Sequence, residues 1–321
     1  MYTFSLSDNR LTHPGGCEIG PRPIDLHIKA FRSMGVKVTE AIHGFLYCEA
    51  EKLKGCDILL NYPSVGATEN IMLASVFAEG ETTIRNAAKE PEIKDLQDFL
   101  AAMGVDIKGA GTSIIRIKGN KKKLNRVEHK IIPDRIVAGT YLIAAAITGG
   151  ELLLKNTIAE DLSSVIHNLR DSGCKICSTD STIYIKGPTR PRAIDTIRTH
   201  PYPGFPTDMQ AQMVTYLSVA AGTSIMVETV FENRYMYVEE LNKMGANIKL
   251  EGRVALIIGV PKLTGANINA RDLRGGAALV LAGLSAVGTT VVNGVHHIDR
   301  GYESIETTLK KVGADIERIQ S

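Results

Sequence analysis

The sequence predicts an α/β protein of two similar domains, each built from repeated units in which an apolar helix lies inside and short strands form sheets outside it. Three observations carry this. A turn glycine closes an amphipathic helix at Gly35, Gly104, Gly173, Gly245 and Gly313, at intervals of 69, 69, 72 and 68 residues. A second marker, Gly80-Glu81-Thr82, Gly150-Glu151-Leu152, Gly222-Thr223-Ser224 and Gly288-Thr289-Thr290, ends an apolar helix and opens a short strand. The helices before that marker, such as 136–147 and 277–284, are apolar almost all round, as helices buried at a domain centre must be.

One complete copy runs from about Ser64 to Gly119. Ser64-Val65-Gly66-Ala67-Thr68 opens the inner helix, Thr82 to Arg85 reads as a strand, and Asn86 turns the chain toward a second helix. In that helix Ile93, Leu96, Phe99, Leu100 and Met103 keep the three-and-four spacing of a core-facing stripe. Beyond Gly104 the alternating runs 105–107 and 113–117 read as a hairpin. Divided this way, residues 1–131 form a first domain of one and a half copies and residues 132–321 a second domain of three. The run Lys121-Lys122-Lys123-Leu124-Asn125-Arg126, with Pro133 after it, connects them.

Composition excludes several classes. A chain of 321 residues with a net charge of +2 is too balanced for nucleic acid or an anionic membrane as partner, whereas a phosphorylated small molecule needs only a few local cations. Five cysteines with no secreted spacing point to a reducing compartment. Cys174 and Cys177 match C-x-x-C as text, but three residues apart on a strand they face opposite sides. The longest apolar stretch, 136–147, is too short to span a bilayer, and the first dozen residues lack the apolar core of a signal peptide. A cytoplasmic location follows.

Candidate chemistry gathers at a few positions. Cys17 lies 18 residues before Gly35, as Asn86 lies before Gly104, so it occupies the turn between a strand and the second helix of its unit. Arg22 nearby could hold an anion and lower the thiol pKa, which suits a general acid or a covalent adduct; an inert cysteine in a tight turn stands beside that reading. Asp208 is a candidate base, yet Asp134 and Asp272 stand at equivalent helix starts, where aspartate is a preferred cap. Ser64, Val65 and Gly66 open a helix whose free N–H groups can receive a phosphate. Arg274 and Arg300 put cations beside helix starts, where an anionic ligand would offset their unfavourable meeting with the dipole.

Taken together, Pro14-Gly15-Gly16-Cys17 with Arg22-Pro23-Ile24-Asp25-Leu26-His27, Ser64-Val65-Gly66-Ala67-Thr68, Asn86-Ala87-Ala88 with Glu90-Pro91-Glu92-Ile93, Phe205-Pro206-Thr207-Asp208-Met209-Gln210-Ala211-Gln212, Thr229-Val230-Phe231-Glu232-Asn233-Arg234, Asp272-Leu273-Arg274 and His297-Ile298-Asp299-Arg300-Gly301-Tyr302-Glu303 resemble the UDP-N-acetylglucosamine 1-carboxyvinyltransferases of the EPSP synthase family. The resemblance implies the enolpyruvyl transferase fold, an inside-out α/β barrel of two domains of βαβαββ units around a cleft. It implies transfer of the enolpyruvyl group of phosphoenolpyruvate to the 3-hydroxyl of UDP-N-acetylglucosamine in peptidoglycan synthesis, without cofactor or metal. By the same resemblance Cys17 protonates the methylene carbon and Asp208 takes the hydroxyl proton. Arg22, Pro23, Ile24, Asp25 and Leu26 line the sugar-nucleotide site, Ser64, Val65 and Gly66 receive its diphosphate, and Val230 contacts its nucleotide sugar. Arg274 and Arg300 bind phosphoenolpyruvate. The cysteine loop and the Phe205–Gln212 segment favour this branch over the shikimate-pathway transferase.

The family's early Lys-Asn pair has no counterpart in the lead from Met1 to His13, so the first domain is expected to be incomplete and turnover by this chain slow. A catalytically silent remnant that still binds sugar nucleotide or a partner is the alternative reading.

Overall fold

The computed structural model describes residues 9–12, 19–20, 23–40, 45–119 and 123–319. They divide into two compact units. The first holds 9–12, 23–40, 45–119 and 123–132, the second 19–20 and 133–319.

In the first unit, β1 (Asn9–Thr12), α1 (Asp25–Ser33), β2 (Lys37–Glu40) and β3 (Phe45–Glu49) precede the complete copy. That copy runs β4 (Asp57–Leu59), α2 (Val65–Ser75), β5 (Glu81–Arg85), α3 (Pro91–Ala102), β6 (Asp106–Lys108) and β7 (Ile114–Lys118). Alternation sets the faces: Thr82 and Ile84 of β5 and Ile115 and Ile117 of β7 are fully buried, while Glu81, Arg85, Arg116 and Lys118 look out. Strand order is β4-β5-β7-β6, with β4 parallel to β5 and the rest antiparallel. Helix α2 is the inner helix, with Ala67, Ile71 and Met72 wholly inaccessible. Pro91 starts α3, where its missing N–H costs nothing, and Ile93 and Leu100 of the predicted stripe are buried.

The preceding half copy has the sheet β1-β3-β2, the order of β5-β7-β6. Asn9–Thr12 pairs antiparallel with Phe45–Cys48 and supplies the strand that opens the half copy, so the repeat begins before Pro14.

The second unit contains α4 (Arg135–Thr148), β8 (Glu151–Lys155), α5 (Ser163–Asp171), β9 (Lys175–Ser178) and β10 (Thr182–Lys186), then β11 (Thr196–Arg198), α6 (Gln210–Leu217), β12 (Thr223–Val227), α7 (Val238–Lys243), β13 (Asn247–Glu251) and β14 (Val254–Ile258). It closes with β15 (Asn267–Asn269), α8 (Leu273–Ser285), β16 (Val291–Asn293) and α9 (Ile305–Lys311). Its middle copy has strand order β11-β12-β14-β13, the same as β4-β5-β7-β6. Helices α4, α6 and α8 pack on one another, and every residue of α6 is buried. Small residues, among them Ala144 to Ala146 and Ala277 to Ala278, allow that approach; sheets β8-β10-β9 and β15-β16 complete the shell. In the third copy residues 312–319 form no strand.

Candidate active site

The second unit separates Asp208 from its two repeat-related aspartates. Asp134 accepts from the N–H groups of Ile136 and Val137 at 2.8 and 2.9 Å, and Asp272 from Arg274 and Gly275 at 3.0 and 2.9 Å; both are helix caps. Asp208 sits in a 3-10 turn, Thr207–Met209, ahead of α6, and caps nothing. Its carboxylate instead takes Arg234 Nη2 on Oδ1 at 2.5 Å and Arg274 Nη2 on Oδ2 at 3.1 Å. Burial alone would raise its pKa, but the two guanidiniums, by charge and hydrogen bond, outweigh that and hold it below the usual carboxylate range. Its side chain remains 40% exposed, whereas those of Arg234 and Arg274 are 3% and 13% exposed. The arrangement is an ionised carboxylate, reachable from solvent, aimed by two fixed cations.

The inner helices build the floor beneath it. Arg274, at the start of α8, also donates to the Tyr302 hydroxyl at 3.2 Å. That hydroxyl lies 2.8 Å from Thr140 Oγ1 of α4, and Gln212 Nε2 of α6 donates to the same threonine at 3.1 Å. Each inner helix thus contributes one polar side chain to a node closed by Tyr302, which is 1% exposed. Such a network fixes the rotamer of Arg274. Arg300 lies two residues before Tyr302, exposed in the turn ahead of α9. The Val230 N–H donates to Glu228 Oε1 at 2.8 Å, which sets the loop after β12.

Sequence reasoning missed Arg234, Tyr302 and Glu228 as site residues, although each lies in or beside a quoted segment. No local pattern marks them, because their partners lie elsewhere in the chain.

In the first unit, Ile24 and Leu26 pack on the core while Pro23 and Asp25 are exposed, Asp25 in the first turn of α1. Ser64 is the N-cap of α2, its hydroxyl accepting from Ala67 N–H at 3.3 Å, and Val65 and Gly66 form the first turn. His27 joins the two segments, because its imidazole lies against Gly66. Burial lowers the His27 pKa against the opposing pull of Asp25 and the Gly66 backbone, so the ring there is neutral.

Cys17 and Arg22 lie outside the described residues. Of the other cysteines, Cys48 and Cys174 are buried, Cys56 is half-buried and Cys177 is exposed, so that Cys174, just before β9, and Cys177, within it, have opposite environments. Among the described residues no group of His, Cys, Asp or Glu is placed to hold a metal ion. None of the described helices is long and apolar enough to cross a membrane.

Residues 3–309 match the sequence model of EPSP synthase (3-phosphoshikimate 1-carboxyvinyltransferase). A UDP-N-acetylglucosamine 1-carboxyvinyltransferase 2 of Caldanaerobacter subterraneus subsp. tengcongensis is 58% identical over 309 residues, which cover 96% of this chain and 74% of that protein. The chain belongs to the EPSP synthase family, in its UDP-N-acetylglucosamine 1-carboxyvinyltransferase branch. A second relative of that printed name, from Carboxydothermus hydrogenoformans, is 53% identical over 97% of this chain and 74% of its own length. Among solved structures the enolpyruvyl transferase NikO from Streptomyces tendae superposes with a TM-score of 0.85 at 24% identity, over 97% of this chain and 74% of that one. An EPSP synthase from Acinetobacter baumannii follows at TM-score 0.72 and 21% identity, over 98% and 76%. At those identities the two structures speak to the enolpyruvyl transferase fold alone.

Proposed function

We infer that this chain is an enolpyruvyl transferase that moves the enolpyruvyl group of phosphoenolpyruvate onto the 3-hydroxyl of UDP-N-acetylglucosamine and releases phosphate, the first committed step of peptidoglycan synthesis. The observation that carries this is the 58% identity, across 96% of the chain, to a relative named for that reaction. The geometry of Asp208 supports it, since a carboxylate aimed by two arginines instead of capping a helix suits a proton acceptor beside an anionic substrate. The substrates are small molecules.

We propose that Asp208 takes the proton of the sugar hydroxyl as its oxygen attacks C2 of phosphoenolpyruvate, while the Cys17 thiol gives a proton to C3. In the second half the Cys17 thiolate takes a proton back from C3, the double bond re-forms, and phosphate leaves with the electrons of the broken C2–O bond and the proton held by Asp208. Arg274 and Arg300 neutralise the phosphate and carboxylate of phosphoenolpyruvate. Arg22 to Leu26, the α2 start at Ser64 to Gly66, and Val230 hold the sugar nucleotide. Residues 1–131 and 132–321 act as the first and second enolpyruvyl transferase domains.

Incubating the purified chain with both substrates tests the reaction. Release of one phosphate per enolpyruvyl sugar nucleotide formed, identified by mass, is the expected result. Binding of UDP-N-acetylglucosamine with no phosphate release would favour the silent remnant. Use of shikimate 3-phosphate in its place would move the chain to the other branch.

Two further results are expected. The epoxide fosfomycin labels Cys17 in the presence of UDP-N-acetylglucosamine and spares Cys48, Cys56 and Cys174, since burial raises the pKa of those three thiols and keeps them protonated. Peptide mapping reads this, and adducts at Cys48 or Cys174 with none at Cys17 would remove the cysteine from the mechanism. Arg234→Gln takes away one of the two cations that depress Asp208, so burial regains weight and the pKa rises. The acid limb of the kcat/KM profile then moves toward neutral pH, and an unmoved limb would assign it to another group.

A further inference from the structure

The turn that leads from the second strand of a copy to its second helix differs in one copy from the other three compared. Counted six residues from the second marker, it is Asn86, Asn156 and Gly294, with φ of +56°, +54° and +72°. These are residues that tolerate the left-handed region. In the middle copy of the second unit the same position is Glu228, which is not among the positive-φ residues and is 1% exposed. It continues the inward alternation of β12 after Ser224 and Met226, so a carboxylate stands where a core side chain is due.

Four neutral donors surround that carboxylate. Glu228 Oε1 accepts the N–H groups of Val230 and Phe231 at 2.8 and 3.2 Å and the hydroxyls of Thr199 and Thr207 at 3.2 and 3.1 Å, and Oε2 lies 3.0 Å from the Thr207 hydroxyl. Thr207 is the neighbour of Asp208, and Val230 and Phe231 begin the loop that ends at Arg234. Arg234 returns to the same turn, donating to the Thr207 carbonyl at 3.1 Å and to Asp208. The 229–234 loop is therefore fastened at both ends to the Thr207–Asp208 turn, once through Glu228 and once through Arg234. A buried carboxylate is costly unless its donors are fixed, and here the donors belong to the segments that carry Val230 and Asp208.

We propose that Glu228 is a positioning residue that sets the sugar-nucleotide loop at Val230 in register with Asp208. This rests on the proposed function. Glu228 touches no substrate; it acts through the Val230 and Phe231 amides and through Thr207.

The test uses the full chain with UDP-N-acetylglucosamine as probe, titrated by calorimetry, and hydrogen exchange of peptides covering 229–234. Glu228→Ala removes the acceptors, and is expected to weaken nucleotide binding at least tenfold and to speed exchange at Val230 and Phe231. Glu228→Gln keeps an oxygen in the cage and is expected to stay within threefold of wild type in both readouts. If the alanine variant does not fold, Glu228→Asp, which draws the carboxylate back by one methylene, takes its place with the same expectation. A folded Glu228→Ala or Glu228→Asp chain that binds within threefold of wild type overturns the proposal while leaving the transferase reading intact, even if its melting temperature falls. Equal damage in the glutamine and alanine variants also overturns it, because charge and not acceptor geometry would then be the cause. A wild-type chain that binds no UDP-N-acetylglucosamine overturns the transferase reading and this inference together.

Discussion

Asp208→Asn is expected to leave a folded chain that binds both substrates and releases phosphate about a thousandfold more slowly, the middle of the range for loss of a general base. Folding survives because neither arginine depends on Asp208 alone. Arg234 keeps the Thr207 carbonyl and lies 5.3 Å from the centre of the Phe231 ring, and Arg274 keeps the Tyr302 hydroxyl. The asparagine is nearly the same size, and the position is 40% exposed, so the lost ion pairs are partly replaced by water. Affinity for phosphoenolpyruvate should hold or improve, since Arg274 no longer shares its charge with a neighbouring carboxylate. The split is the decisive feature: turnover collapses while binding by calorimetry does not. Turnover within tenfold of wild type would take the base away from Asp208, and a parallel loss of both quantities would make it a structural anion.

That aspartate also marks the limit of what the sequence discloses. The period of the glycines was enough to place the inner helices and the strands after them, because a repeated unit multiplies each weak local signal. The stripe of α3 and the burial of α4 and α8 follow from the same spacing. Asp134, Asp208 and Asp272, by contrast, are alike in one dimension. What separates them is whether an arginine 26 or 66 residues further on returns to the carboxylate, as Arg234 and Arg274 do for Asp208. No local pattern contains that. Glu228 was invisible for a related reason: its donors come from Thr199, Thr207 and the loop after it, and only the sheet brings them together. Asn9–Thr12 is a four-residue strand whose identity depends on pairing with β3, so the lead carries no strand pattern of its own.

Gly259→Ala is expected to lower the melting temperature by about 5–10 °C, and the reason lies in the repeat itself. Gly259 follows β14 and donates its N–H to the Gly222 carbonyl at 3.0 Å, drawing the end of the copy's last strand onto the segment that leaves its inner helix. A Cβ built there would stand 1.8 Å from the Ala220 carbonyl oxygen and 2.7 Å from its carbon. Gly119, at the same point of the first unit's complete copy, bonds to Gly80 at 2.9 Å and would meet the Ala78 oxygen at 1.7 Å. The two copies share one close approach of backbone to backbone, which no side chain of any size can enter. Relief requires moving either the strand end or the helix end, and Ala220 is wholly buried with its own N–H tied to Leu217 at 3.1 Å. Overpacking of this kind costs about 2–3 kcal/mol, and a unit of this size loses roughly 2–4 °C per kcal/mol. Gly252 provides the control. It has φ +56° at the tip of the β13–β14 hairpin with nothing within 4 Å of a built Cβ, so Gly252→Asn adds a residue that accepts that conformation and should melt within about 2 °C of wild type. Scanning calorimetry on the three proteins separates the cases. Similar melting for Gly259→Ala and Gly252→Asn would mean that the strand end yields freely and that the repeat is not held by this contact.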